Sequence, residues 1–217
     1  MIGALILLTS VSAQTPLTPV WPNVFWQPFT ETTSYFLIGT HSTSGNFYYD
    51  WTNQAYRIDR VNGRYDRYCG LAGPYEFENT PCSQIVNNGN RYIYYSEKNV
   101  CCFCCNSAHG CGMLFPTWMT NATYIDTEVH NGVQTYKWNK PGLQSNYIYE
   151  TVGPVPLNRV TVSIYQVSDD DMEFGARSTT LPSGILNLPS ICSLSKTCST
   201  AACDALRNGN GQFEARL

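Results

Sequence analysis

Charged side chains are scarce in this sequence of 217 residues. Asp, Glu, Lys and Arg together make up only 13% of it, and the formal net charge is −3. No run of Lys or Arg occurs anywhere along the chain. Binding to nucleic acid or to an anionic membrane surface depends on such basic clusters. The composition therefore argues against both classes of partner.

Long apolar runs and common catalytic motifs are also missing. After the N-terminus, no apolar stretch approaches the roughly 20 residues of a membrane-spanning helix. The sequence contains no GxSxG, HExxH, phosphate-binding loop or dinucleotide-binding motif. Of only three histidines, His41 and His130 lie in predicted turns, and His109 lies among cysteines that are expected to be oxidised. We therefore expect no catalytic residues and no enzymatic activity.

Residues 1–13 are apolar and end in Val-Ser-Ala, the small-residue pattern that precedes cleavage by signal peptidase. We predict a signal peptide, although the usual basic residues before the apolar run are absent. A secretory start with an even count of ten cysteines predicts five disulfides, in the extracellular space or the lumen of the secretory-lysosomal pathway. Asn121, in Asn-Ala-Thr, is the one predicted glycosylation site.

Half of the cysteines are concentrated in eleven residues. Those five are Cys101, Cys102, Cys104, Cys105 and Cys111, and the others are Cys69, Cys82, Cys192, Cys198 and Cys203. In a strand, Cys101, Phe103 and Cys105 would share one face, and Cys102 and Cys104 the other. Sulfurs on opposite faces do not meet easily, so we expect bonds that fix this strand to at least two other parts of the chain. Metal binding is the alternative, but CCxCC followed by Cys lacks the paired spacing of structural zinc sites.

Short segments rich in aromatic and β-branched residues, separated by Gly, Pro, Asn and Asp, predict about nine or ten strands. The clearest hairpins are residues 46–60, with a bend at 51–54, and residues 123–139, with a turn at 130–132. The strand at residues 91–96 should pair directly with the cysteine-rich strand. We therefore predict an all-β, mainly antiparallel fold.

The two ends of the chain are expected to differ from the sheet. Residues 14–29 contain four prolines and are predicted to form an extended arm. Residues 193–217 form a tail that holds Cys198 and Cys203, and residues 195–206 within it are predicted to be a short, disulfide-tethered helix.

Aromatic residues are abundant, with 15 Tyr, 9 Phe and 5 Trp. Those that could line one face of a sheet, with Trp118 over it, are Phe47, Tyr49, Tyr56, Tyr92, Tyr94, Trp118, Tyr136, Trp138, Tyr147 and Tyr149. Aromatic side chains on a sheet usually form a closed core. The many tyrosines favour a pocket instead, since a closed core must give each hydroxyl a partner, whereas a pocket leaves it for ligand or water.

One acidic turn is a candidate calcium site. It contains Asp169, Asp170, Asp171 and Glu173. Carboxylate oxygens are calcium ligands, but the glycine and alternating ligands of an EF-hand loop are missing. A solvated turn between strands is the simpler interpretation, and calcium is kept as the one candidate cofactor.

Four blocks of sequence, in order, resemble ependymin-related proteins: residues 45–61, 81–102, 132–156 and 186–192. The matching positions are Tyr49, Asp50 and Arg57, then Pro81 and Cys82, then Trp138, and finally Pro189 and Cys192. The resemblance implies a secreted, often glycosylated β domain over residues 30–192, with two stacked sheets around a hydrophobic cleft similar to that of bacterial lipoprotein carriers. It also implies lipid binding, dimer formation, a link to calcium and a Cys82–Cys192 disulfide. The remaining cysteines exceed the family's usual number, so the cleft could be closed or remodelled here.

Three hypotheses follow. The first is a secreted half-barrel of two stacked or strongly curved antiparallel sheets that holds a lipid or fatty acyl chain, which predicts a cavity on the order of several hundred Å³. The second is an extracellular matrix or filament subunit that self-associates through its arm and sheet edges, which predicts a filled interior and an arm not packed on its own domain. The third, a thiol-redox or metal protein, predicts unpaired cysteines.

Overall fold

The computed structural model describes residues 15–35, 39–70, 75–141, 145–166 and 170–209. Antiparallel strands make up most of the regular structure in these ranges. The strands are β1 (Val24–Tyr35), β2 (Gly39–Asp50), β3 (Ala55–Arg60), β4 (Cys82–Asn87), β5 (Asn90–Tyr95), β6 (Val100–Asn106), β7 (Thr123–His130), β8 (Val133–Pro141), β9 (Ser145–Thr151), β10 (Thr161–Gln166) and β11 (Asp170–Phe174). One α-helix, α1 (Ala201–Arg207), and short 3₁₀ turns at Ser107–His109 and Pro156–Asn158 complete the regular structure of this part of the chain.

All the strands belong to one sheet, in the order β6-β5-β4-β3-β2-β1-β11-β10-β9-β8-β7. Each half, β1 to β6 and β7 to β11, pairs strands that follow one another in sequence, and β1 and β11 join the halves. Trp118 and Phe174 touch apolar side chains of both halves, so the sheet curves around them. The prediction of a mainly antiparallel fold with a short C-terminal helix is confirmed, in the form of one strongly curved sheet.

Asparagine-glycine pairs form two of the tight turns. Asn88-Gly89 has φ of 47° and 77°, and Asn131-Gly132 has φ of 50° and 77°, as two-residue hairpin turns of type I′ require. The predicted hairpin at residues 46–60 forms as expected, with the turn at residues 51–54. The sequence analysis assigns no strand to β4, although the run CSQIVN directly before Asn88-Gly89 is the signal that indicates it.

The two faces of the sheet can be told apart by three residues. We call the face that carries Phe47, Tyr49 and Trp138 the inner face, and the opposite one the outer face. Buried aromatic rings from β1, β2 and β3 form one cluster on the inner face, and side chains from β8, β9 and β10 form the next. The segment before β1 and the connection between β6 and β7 pack on these clusters.

The N-terminal arm packs on its own domain. The Trp21 side chain is 2% exposed, and its ring packs edge-on against Phe25 and Tyr49, with centroids 5.3 and 5.4 Å apart. The Trp21 backbone N–H donates to the carbonyl oxygen of Pro116 over 2.9 Å. From Val24 onward the chain is β1, which lies inside the sheet. The extended segment predicted over residues 14–29 thus runs into β1 at Val24. Its packing on the sheet differs from the unpacked arm that the assembly hypothesis predicts, because these aromatic rings are buried.

All ten cysteines are paired. The disulfides are Cys69–Cys82, Cys101–Cys192, Cys102–Cys198, Cys104–Cys203 and Cys105–Cys111. The prediction that β6 is fixed to distant parts of the chain is confirmed. The unpaired cysteines predicted by the hypothesis of a thiol-redox or metal protein are not found, so that prediction is wrong. The Cys82–Cys192 disulfide implied by the family resemblance is also wrong. Cys82 packs on the inner face with Cys69, whereas Cys192 packs with Cys101 on the outer face.

A β-bulge changes the expected alternation along β6. The register shifts between Arg91 and Tyr92 of β5, so that Arg91 pairs with Cys105 and Tyr92 with Phe103. Cys104 is the extra residue of the bulge, and its insertion moves the next side chain to the opposite face of the sheet. Cys105 therefore joins the inner cluster, and the prediction that it shares a face with Cys101 and Phe103 is wrong.

The tail wraps around the free edge of β6, and we call residues 192–203 the clasp. The Phe103 backbone N–H donates to the carbonyl oxygen of Lys196 over 2.6 Å, and the Cys198 N–H donates to that of Phe103 over 2.8 Å. α1 follows the N-cap Thr200 and buries Leu206 among the inner cysteines. The helix starts later than predicted because the chain first crosses the strand edge. Within the described residues, no helix has the length and hydropathy needed to span a membrane.

Candidate functional site on the inner face

The candidate aromatic residues divide between the two faces. Phe47, Tyr49, Tyr56, Trp118, Tyr136 and Trp138 lie on the inner face, and Tyr92, Tyr94, Tyr147 and Tyr149 lie on the outer face. Ile93 and Ile148 hold the inner positions between the outward-facing pairs. Successive side chains of a strand point to opposite faces, so taking the wrong alternate set as the inward-facing one misplaces both tyrosines of β5 and both of β9. The prediction of one common aromatic face is wrong for these four tyrosines.

The outer face of β9 carries a polar contact that the sequence analysis did not anticipate. The His130 ring stacks on Tyr149 with centroids 3.9 Å apart, and its Nε2 lies 3.1 Å from Oε1 of Glu173. The Lys137 ammonium group lies over the rings of Tyr147 and Tyr149, at 5.3 and 5.4 Å. His130, predicted to be a solvated turn residue, thus ties the β7–β8 turn to β9 and β11.

Two of the inner tyrosines have hydrogen-bond partners inside the protein. The Tyr49 hydroxyl donates to the carbonyl oxygen of Leu114 over 2.7 Å, and the Tyr56 hydroxyl accepts from Nη2 of Arg91 over 2.5 Å. Burial raises the pKa of both phenols, and for Tyr56 it outweighs the opposing effect of Arg91. Neither ring is more than 2% exposed. Around these residues the inner face is a closed core.

Residues 111–122 close the inner face, and we call this segment the cover. It contains no strand or α-helix. It begins at Cys111, which is bonded to Cys105, and ends directly before β7. Met113 and Leu114 are partly buried, and the Phe115 side chain is 62% exposed. The closing layer is thus irregular chain, and several of its large apolar side chains reach solvent.

Two indole N–H groups, one in the cover and one in β8 beneath it, are buried without a hydrogen-bond partner among the described residues. They are Nε1 of Trp118 and Nε1 of Trp138. Both rings belong to the apolar cluster that also contains Met119 and Ile148. A buried donor without an acceptor costs about 1–3 kcal/mol. A carbonyl or carboxyl oxygen of a ligand placed between these rings would remove part of that cost.

A buried charged cluster lies beside the apolar one. Glu150 is 1% exposed and Arg159 2%, and burial raises the pKa of Glu150 to about 8 although Arg159 and Arg177 both act to lower it. Burial also lowers the pKa of Arg177 to about 10, against the opposing effect of Glu150. Nη1 of Arg159 donates to the carbonyl oxygen of Leu17 over 2.6 Å. The cluster therefore connects the N-terminal segment to the β9–β10 region.

Toward the β1–β2 connection the inner face becomes polar. Here it borders a cavity of about 320 Å³, lined in part by Glu31, Thr33, His41 and Asp66. The size matches the cavity expected for a ligand-binding protein, but the lining is polar rather than aromatic. The sequence analysis identified none of these residues as a site, because they are distant in sequence and form no motif.

The two remaining site predictions concern surface residues. Asn121 is exposed in the turn before β7, and glycosylation there stays a prediction. In the acidic turn, Asp169 lies outside the described residues, and Asp171 accepts a hydrogen bond from Ser163 over 3.1 Å. In the part of the chain that the structure describes, no three His, Cys, Asp or Glu residues are grouped to hold a metal ion, and calcium binding stays a prediction.

No protein-family model and no curated protein matches the sequence, so the ependymin-related assignment stays a prediction. Among solved structures, an uncharacterized conserved protein from Thermus thermophilus has a TM-score of 0.48 at 9% identity, over 77% of this chain and 87% of its own. A LolA superfamily protein from Nitrosomonas europaea has a TM-score of 0.37 at 6% identity, over 76% of this chain and 90% of its own. A DUF1329 family protein from Desulfovibrio piger also has a TM-score of 0.37, at 8% identity and the same coverages. These partial likenesses do not say what this chain binds.

Proposed function

We propose that this protein is a secreted carrier that binds a lipid or fatty acyl chain against the inner face of its sheet, beneath the cover. The observation that carries the proposal is the nature of the closing layer. An apolar face with buried aromatic and aliphatic side chains is covered by irregular chain rather than by a second sheet or a long helix. Moving that chain would open a continuous apolar surface without breaking any pairing between strands.

The magnitudes favour an acyl chain as the ligand. Displacing the cover would expose Met113, Leu114, Trp118 and Met119, at roughly 2 kcal/mol for each side chain and so at about 8 kcal/mol in all. An acyl chain gains about 0.8 kcal/mol for each buried methylene, so about fifteen of them contribute about 12 kcal/mol. The exchange is favourable for a long chain and unfavourable for a ligand with only a few apolar carbons.

Two features support a secreted protein. Five disulfides are typical of an oxidising compartment. The apolar residues 1–13 have the composition of a signal peptide. A further feature supports an acyl ligand: the unpartnered indole N–H groups of Trp118 in the cover and of Trp138 beneath it match the carbonyl or carboxyl oxygen at the head of such a ligand.

Binding of the fluorescent fatty acid cis-parinaric acid to the oxidised protein tests the proposal. Tyr49→Phe removes the hydroxyl that holds the cover at Leu114 and keeps the ring. Since a buried hydrogen bond contributes about 1 kcal/mol, the variant should open more easily and bind about fivefold more tightly. Native mass spectrometry of protein purified from a secretory host should also show a bound acyl adduct.

Tyr95→Phe is the matched control. The Tyr95 hydroxyl also donates to a backbone carbonyl, that of Cys69 over 2.8 Å, and its ring is equally buried, but this hydrogen bond does not hold the cover. Its affinity for the fatty acid should equal that of the wild type. A wild-type protein that binds no fatty acid refutes the proposed function, whereas equal affinities of both variants would refute entry beneath the cover.

A further inference from the structure

We infer that the protein has a second ligand site, a polar cavity for one neutral, polyhydroxylated molecule of the size of a monosaccharide. The site goes beyond the proposed function, since none of its lining residues belongs to the cover. The cavity of about 320 Å³ lies between the distal half of the β1–β2 pair and the turn that follows β3. Small-molecule sites start at about 300 Å³, so one small ligand fits.

A buried ionic network forms one side of the cavity. Nε and Nη2 of Arg60 donate to the two carboxylate oxygens of Glu31 over 2.5 and 2.8 Å, and Nη1 lies 3.5 Å from Oδ2 of Asp66. The three side chains are at most 9% exposed. Asp66 also accepts from the backbone N–H groups of Tyr68 and Cys69, over 3.0 and 2.9 Å. Arg60 therefore pairs with both carboxylates, and both are held in place within the protein.

The other side of the cavity mixes hydroxyls, a guanidinium group and flat rings. Thr33 and Thr43 supply hydroxyls from neighbouring strands. Nε of Arg64 is buried and has no hydrogen-bond partner among the described residues. The rings of His41 and Tyr65 stack on each other with centroids 3.6 Å apart and give this side a rigid, planar part.

The charge balance selects the class of ligand. In the lining, Glu31 and Asp66 carry two negative charges and Arg64 one positive charge, and the buried Arg60, which pairs with both carboxylates, supplies the second positive charge. The lining together with Arg60 is therefore neutral overall. An anion would approach the carboxylates, a cation would approach the guanidinium groups, and an apolar molecule would desolvate all of these groups without replacing their hydrogen bonds. A sugar hydroxyl both donates and accepts, which suits a lining that offers threonine hydroxyls beside a guanidinium donor.

Saturation-transfer NMR with glucose, galactose, mannose and N-acetylglucosamine tests this inference on the oxidised protein. At least one sugar should bind, with a 1:1 stoichiometry and a millimolar or tighter Kd by calorimetry. Thr43→Leu directs a larger apolar side chain into the cavity and should weaken binding at least about tenfold. Asn79→Leu, at an exposed lining residue, should have the same effect and serves if the first variant does not fold.

Ser44→Leu is the matched control, because Ser44 is the next residue on β2 and its side chain is exposed on the other face. Its Kd should stay within about twofold of the wild-type value. The inference is overturned if no sugar binds, if Thr43→Leu and Ser44→Leu bind equally well, or if phosphate or acetate binds in preference to every sugar. These results do not depend on fatty acid binding, which is measured at the cover.

Discussion

Replacing Glu150 with glutamine should stabilise the protein at neutral pH. Burial raises the pKa of this carboxyl group from its ordinary value of 4.5 to about 8. Between these two pH values the folded protein holds a proton that the unfolded chain has lost. Stability therefore falls as the pH rises through this range, and glutamine, which has a similar shape and does not titrate, removes that loss.

The size of the effect follows from the pKa difference. From pH 4.5 to pH 7 the unfolded chain loses its proton over about 2.5 pH units, at 1.36 kcal/mol per unit, while the folded state keeps it. The penalty on the wild-type protein at pH 7 is thus about 3 kcal/mol. The variant should exceed the wild type in free energy of unfolding by about that amount at pH 7, and by almost nothing near pH 4.

Denaturant unfolding without reductant, followed by tryptophan fluorescence from about pH 4 to pH 8, measures this difference. Glu128→Gln is the control, since Glu128 forms a partly exposed ion pair with Lys137 at 3.3 Å and should contribute less than about 1 kcal/mol at any pH. A stability difference for Glu150→Gln that does not grow with pH would refute the reasoning. It would mean that Glu150 is ionised and stabilised by Arg159 and Arg177 in the folded protein.

Three further predictions concern packing and processing. Trp21→Ala should lower the free energy of unfolding by about 3–5 kcal/mol in denaturant titrations, because it empties the centre of an aromatic cluster; a loss below about 1 kcal/mol would contradict that packing. Gly63→Ala should destabilise by about 1–3 kcal/mol in the same assay, since its Cβ would lie 2.6 Å from Cβ of Cys82 and 2.8 Å from Cβ of Cys69; unchanged stability would show that the disulfide moves aside. Asn121→Gln should abolish the mass shift on treatment with peptide N-glycosidase, and wild-type protein from a secretory host without such a shift would contradict the glycosylation prediction.

The local parts of the fold follow from the sequence. Alternation of Phe47 and Tyr49 with polar neighbours, followed by the same pattern at Tyr56 and Ile58, defines a hairpin within 15 residues, and the structure pairs these residues as expected. Positive φ at Asn131-Gly132 follows from residue type. Short-range steric and burial rules are sufficient for such elements.

Alternation fails where both faces of a strand are covered. Tyr92 packs beneath Leu188 and Cys192, which lie just before the tail, while its neighbour Ile93 packs on the inner face. The sequence there is apolar at successive positions, so it does not indicate which set points inward. The same ambiguity arises at β9, where His130 covers Tyr149.

Long-range contacts determine the sites. Arg60 meets Glu31 across 29 residues, and the disulfide between Cys101 and Cys192 closes 91 residues. Trp21 lies in a proline-rich stretch without periodicity, and no local signal shows that it inserts beneath the cover. The cysteine count predicts full pairing, but the connectivity depends on the tail crossing the edge of β6, which no spacing rule encodes.

The two edges of the sheet differ, and the difference argues against the assembly hypothesis. The clasp covers the β6 edge and occupies its backbone groups at Phe103. Among the described residues no strand pairs with the outer edge of β7, and Val129 is 66% exposed there. A bulge between Tyr124 and Asp126 interrupts the β7 ladder, and strand addition between two copies would bring acidic side chains of β7 together.

Arm exchange would first have to extract Trp21 from the core, at about 3–5 kcal/mol per copy. Both routes by which this sheet could join neighbours are therefore opposed by the structure, whereas an acyl ligand would replace the apolar contacts that the cover loses when it moves.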